Sequence, residues 1–139
     1  MDLLINIDVP NLAEGVAFYT RAFDLVVTRR LGAGAAELSG LPVRLYLLEK
    51  PEGSIGAGAD ARRYARHWTP VHIDVVVDDL ESALARAVAA GAKVETQTRV
   101  HAWGKIAILS DPFGNGFCLL QFLGRGYDEI ADPEGADRR

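Results

Sequence analysis

Cysteine is nearly absent. The 139-residue chain holds one, Cys118, so an internal disulfide is excluded and a reducing compartment is the simple expectation. An excess of positive charge is absent too. Fifteen Lys and Arg stand against 19 Asp and Glu, a net charge of −4, which leaves no electrostatic footprint for nucleic acid. No apolar run reaches the ~20 residues of a membrane span. The opening MDLLINIDVPNL has neither a basic start nor a long apolar core, which predicts a cytoplasmic chain without a signal peptide. Gly-rich SIGAGAD at 54–60 lacks the GK[ST] ending of a phosphate loop, and no Ser-His-Asp or CxxC signature occurs. The three histidines, His67, His72 and His101, include no metal-spaced helical pair, which argues against a classical zinc site.

What remains is ordinary globular composition, 49% apolar and 24% charged, sized for one domain. Its organisation is a repeat. Residues 3–9 (LLINIDV) and 71–77 (VHIDVVV) both alternate: Ile5, Ile7 and Val9 in the first, Val71, Ile73, Val75 and Val77 in the second. Period two marks a strand buried mainly on one face. A helix follows each. Asn11 with Glu14, and Asp78 with Glu81, fit a capping box. Leu12, Val16, Tyr19 and Phe23 form the apolar stripe of the first helix; Leu80, Ala83, Leu84, Ala87 and Val88 form that of the second, with Gly91 as its stop. Three extended segments follow each helix, at 24–30, 34–38 and 43–49, then at 93–98, 105–110 and 116–122. The pattern predicts an α+β fold of two βαβββ modules, module one at 1–50 and module two at 69–123. Residues 51–68 read as a linker or lid, and 124–139 as a polar tail.

Three segments carry a family resemblance: VPNLAEGVAFYTRAFDL (9–25), HIDVVVDDLESALARAVAAGAKV (72–94) and WGKIAILSDPFGNGFCLLQF (103–122). The third contains Asp111-Pro112-Phe113-Gly114-Asn115, a tight-turn sequence before the last strand. The chain resembles the vicinal oxygen chelate superfamily, the glyoxalase, bleomycin-resistance and extradiol dioxygenase relatives. That resemblance implies a curved mixed eight-stranded sheet around a cavity, with helices on its convex side. It also implies homodimers and, in many members, a divalent metal held by His or Glu from the first and last strands of each module.

Strand parity predicts the inward residues. With Ile5, Ile7, Val9, Val43, Leu45, Leu47, Val71, Ile73 and Val75 under the helices, the opposite faces are Leu4, Asn6 and Asp8; Arg44, Tyr46 and Leu48; His72 and Asp74. Cys118, Leu120 and Phe122 join them if the family's register holds. Asn6, Arg44, Tyr46, His72, Asp74, Trp103, Cys118 and Leu120 are the candidate ligand-binding residues. Asp74 and Arg44 are a candidate ion pair. Arg62, Arg63, Arg66 and His67 beside Trp68 read as a solvated helical turn, with closure over an anion as the alternative.

The resemblance places its metal histidine at His72. The other ligand positions fall on Leu4 or Asn6, on Arg44 or Tyr46, and on Cys118. No cofactor is therefore expected; if a divalent metal binds, His72 and Cys118 hold it. Three functions stay open: a metal-free small-molecule binder, a metal-dependent lyase, isomerase or dioxygenase using His72, and a cofactor-free enzyme with His72 as catalytic general base.

Overall fold

A computed structural model describes residues 1–133. The repeat is present. The first half runs β1 (Leu4–Val9), α1 (Leu12–Phe23), β2 (Val26–Arg30), β3 (Ala35–Ser39) and β4 (Arg44–Glu49). The second runs β7 (Ile73–Val76), α2 (Leu80–Ala90), β8 (Lys93–Val94), β9 (Arg99–His101), β10 (Gly104–Ser110) and β11 (Gly116–Phe122).

Each half forms its own sheet. The first has the order β1-β4-β3-β2, the second β7-β11-β10-β8 with β9 also on β10. The expected α+β fold of two βαβββ modules is present, its strands divided between two mixed sheets in which β1 and β7 each keep a free edge. Both of these strands lie parallel to the last strand of their half: Asn6 is level with Tyr46, and Asp74 with Cys118.

Helix starts repeat the same chemistry in both halves. Asn11 Oδ1 accepts the Glu14 amide at 2.9 Å. The second cap is Asp79, one residue later than the box at Asp78 suggested; its Oδ1 accepts the Ser82 amide at 3.1 Å. The first helical amide of each half then meets a side chain from the last strand: Leu12 N donates to Glu49 Oε2 and Leu80 N to Gln121 Oε1. These contacts satisfy amides that a helix start leaves open. Gly91 ends α2 at φ 119°.

The helices pack against each other and against their own sheets. Phe18, Leu38, Leu47, Leu80, Leu109 and Leu119 are fully buried, each worth about 1.5–3 kcal/mol of transfer. Phe18 and Phe23 of α1 reach Phe117 of β11 at 6.4 and 5.2 Å, so one core spans both halves. Gly15 lets α1 come close to β1, since a Cβ there would meet Val9 at 3.0 Å. Val88, expected inside, is exposed, as the α2 stripe narrows to Leu80, Ala83 and Ala87. Val71 is exposed as well: β7 begins only at Ile73, where Phe117 supplies the first partner.

Two segments differ from expectation. Residues 93–98 are not one strand. Leu109 pairs with Val94 and Ile106 with Arg99, so five steps on one side face three on the other. The chain bulges between β8 and β9. Within 51–68 lies a small hairpin, β5 (Ile55–Ala57) and β6 (Asp60–Ala61), turning at Gly58 with φ 58°. The basic stretch after it is not helical. Of the tail, Gly126–Glu129 form a 3-10 turn whose Tyr127 packs on Trp103 and Phe122; residues 134–139 lie outside the described part.

Candidate functional site

A crevice of about 810 Å³ lies between the two sheets. β1 and β7 form its walls through Ile5, Ile7, Ile73 and Val75. Its floor is aromatic: Tyr19 and Phe23 from α1, Phe113 and Phe117 from the second half. Asn6, Asp8, His72 and Asn115 bring polar groups to it, and the stretch after the hairpin brings Arg63 and His67. Volume, apolar floor and a few convergent polar groups are the attributes of a ligand pocket.

The seam is latched from beneath. Asp111, 1% exposed, accepts from Tyr19 Oη at 2.6 Å. It also accepts from the Phe113 and Asn115 amides at 2.8 Å each and from Asn115 Nδ2 at 2.9 Å. Asn115 Nδ2 also points at the Asp8 carbonyl, at 3.4 Å. Burial, followed by the Asp111 charge, raises the Tyr19 phenol well above its usual range, so it remains a donor.

Residues 62–67 strap both sheets together. Arg62 Nε donates to Asp8 Oδ2 at 2.7 Å on the first sheet. Tyr64 Oη donates to the Lys50 carbonyl. Arg66 grips Glu95 through two nitrogens and lies flat over Gly116. The expected solvated helical turn is therefore an extended strap that forms one side of the crevice.

The predicted site residues divide into groups. Asn6 and His72 both line the crevice. His72 Nδ1 lies 3.1 Å from Asp74 Oδ1, so the ring donates there from Nδ1 and leaves Nε2 free. Trp68 sits 5.2 Å from the same ring. Cys118 and Leu120 are buried in β11. Burial and then the Asp74 carboxylate push the Cys118 thiol up to about 11. Tyr46 is buried too, donating at 2.6 Å to Glu37 Oε2. Arg44 lies 4.0 Å from Glu37 on the first sheet, so the pair proposed between Arg44 and Asp74 does not form. Trp103 stacks on His101 at 5.0 Å and packs tilted against Tyr127, outside the crevice lining.

Sequence reasoning missed Glu37. It is 5% exposed and accepts from Arg29 through both oxygens, and from Tyr46 and Thr28. The Arg29 guanidinium, then the Tyr46 hydroxyl, hold its carboxyl down from the usual 4.5 to about 2. A depressed carboxyl stabilises the fold above its unfolded value and loses that contribution as pH falls through the folded one. Acid unfolding of Glu37→Gln is therefore expected to show a shallower decline between pH 4.5 and 2 than the parent. Identical acid limbs for the two proteins would remove Glu37 from the account.

The four-ligand metal set implied by the family resemblance does not fit. The ligand atoms of His72, Asp74 and Cys118 do lie within 4.8 Å of one another. Yet all three stand on or next to the second sheet, and the Asp74 carboxylate is engaged by His72. The matching strands of the first sheet offer Asn6, a cationic Arg44 and a Tyr46 committed to Glu37. Among the described residues lining the crevice, the one carboxylate, Asp8, is bonded to Arg62, and His67 and His72 are each engaged through Nδ1, a poor donor set for a divalent ion.

Comparison with known proteins follows the fold. Residues 4–120 match the sequence model of a family described as "Glyoxalase-like domain". A Mycobacterium bovis protein, Mb0911c, is 29% identical over 118 residues, covering 81% of this chain and 78% of its own. Among solved structures, a glyoxalase/bleomycin resistance protein/dioxygenase family enzyme from Burkholderia phytofirmans superposes with TM-score 0.68 at 18% identity, over 88% of this chain and 100% of that one. TioX from Micromonospora sp. ML1 gives 0.67 at 17%, over 88% and 99%.

Proposed function

Because the chain belongs to the glyoxalase-like domain family, we propose that it binds a small molecule in the crevice between β1 and β7, without the divalent metal that the family resemblance implies. The crevice itself carries this reading: an 810 Å³ space with an aromatic floor, to which both halves contribute polar groups. A second reading has one specific support. Asp74 orients the His72 ring and leaves Nε2 free at the crevice, the arrangement of a general base acting without a cofactor. A metal-dependent lyase, isomerase or dioxygenase using His72 is the weaker alternative, given the one-sided donor set.

A homodimer acting in the cytoplasm completes the proposal. The outer strands β2 and β9 support pairing, with Val26 and Val100 exposed along unpaired edges. The lone cysteine supports a reducing compartment. Among the described residues no helix is long and apolar enough to cross a membrane.

The crevice is tested by titrating the isotope-labelled full chain with 2-naphthamide, a flat neutral probe. Backbone amide shifts are expected at Ile5, Asn6, Thr69, His72 and Asn115, and Asn6→Trp is expected to abolish them with little change in melting temperature. Shifts confined to other surfaces, or unaffected by Asn6→Trp, would overturn the crevice as the site. Metal analysis of chelator-free protein forms the second arm: a stoichiometric divalent ion lost on His72→Ala would replace this reading with the metal-dependent one.

A further inference from the structure

Charge around the crevice is unbalanced. Among the described residues, the Asp, Glu, Lys and Arg that line it are Asp8 and Arg63. Asp8 is already matched by Arg62, at 2.7 Å from outside the lining. Arg63 is exposed, and among the described residues no carboxylate lies within ion-pair distance of it. The two histidines are internally satisfied on one nitrogen each: His67 Nδ1 faces the Ala65 carbonyl at 3.1 Å and His72 Nδ1 faces Asp74. One uncompensated cation thus stands beside an aromatic floor, in a protein whose overall charge is −4.

Taking the crevice as the ligand site, we infer that its ligand class is a monoanionic acid with a flat apolar body, its carboxylate on Arg63 and its rings over Tyr19, Phe23, Phe113 and Phe117. The planar guanidinium matches a carboxylate through two parallel N–H donors. The rings below bury the body and can meet it edge-to-face or offset. An amine of the same shape would meet Arg63 as a like charge. A neutral amide would keep the floor contacts and lose the ionic one. Among the described residues lining the crevice, a polyphosphate finds no second free Lys or Arg.

The test uses three probes of one size: 2-naphthoate, 2-naphthamide and 2-naphthylmethylamine. Affinities are measured by amide-shift titration of the full chain and of Arg63→Gln. In the parent, naphthoate is expected to bind about tenfold or more tighter than the amide, with the amine weakest. Added salt should narrow the gap, because the pair is exposed. Arg63→Gln should reduce naphthoate to the level of the amide and leave the amide unchanged. Equal binding of acid and amide in the parent would overturn the anion preference while leaving the crevice intact. An acid preference that survives Arg63→Gln would overturn the role of Arg63. Failure of all three probes to shift crevice residues would take down the crevice reading, and the ligand class with it.

Discussion

Asp111→Ala is expected to destabilise the chain by about 3–5 kcal/mol, because a buried hub loses every bond it accepts at once. Asp111 collects the Tyr19 hydroxyl, two backbone amides and the Asn115 side chain at 2.6–2.9 Å. Truncation strands the Tyr19 hydroxyl and the Phe113 and Asn115 amides without this acceptor, and leaves Asn115 Nδ2 with only its 3.4 Å contact to the Asp8 carbonyl. Tyr19→Phe removes one donor and leaves the remaining three in place, so about 1–2 kcal/mol is expected. Both residues serve one bond, across 92 positions of sequence. The double variant should therefore lose less than the sum of the singles. Urea unfolding followed by circular dichroism and by tryptophan fluorescence measures all three. A loss below about 1 kcal/mol for Asp111→Ala would mean that the seam is held elsewhere. The two halves should also unfold together in every case, because Phe18 and Phe23 bury against Phe117 of the other half.

Gly114→Ala is expected to cost on the order of 2–4 kcal/mol and to loosen the strap. Gly114 adopts φ +91°, in the left-handed region, and a Cβ there would stand 2.8 Å from the Ala65 carbonyl carbon and 2.9 Å from the Arg66 nitrogen. Both obstacles are backbone, so relief requires the strap to move. Gly116→Ala makes a contrasting control. Its Cβ would meet only the end of the Arg66 side chain, at 2.6 Å, which can swing aside and release Glu95. That partly exposed pair is worth about 0–1 kcal/mol. Protease cleavage within 51–68 should rise in both variants, whereas stability should fall clearly only in Gly114→Ala. Unchanged cleavage in Gly114→Ala would show that the strap does not rest on this turn.

The repeat was legible because it is local. Alternation in β1 and β7, an Asn or Asp before each helix, and Asp111–Asn115 before the last strand are all short-range patterns. The second cap was misplaced by one residue because Asp78 and Asp79 are adjacent and both suit the role. Pairing across the sheets was harder to see. Glu37 reads as a polar residue in a half-buried strand until the register sets it opposite Tyr46. Tyr19 reads as part of a helical stripe, and nothing in its neighbourhood points to Asp111. The inward faces were assigned from parity, but a crevice at the seam depends on how two separate sheets meet. Asn6 and His72 line it because they stand on the facing edges, whereas Tyr46, Cys118 and Leu120 sit one strand further in. Trp103, a candidate ligand-binding residue by sequence, has His101 and Tyr127 as ring partners, supplied by a strand and a terminal turn that no sequence pattern announces.

The single thiol has a practical use. Cys118 is 3% exposed in the strand between β7 and β10, and its ionisation is suppressed. An alkylating reagent reaches it only when that layer parts. Its labelling rate therefore clocks the opening of the second sheet from inside the native protein, with no probe introduced and no background from another sulfhydryl.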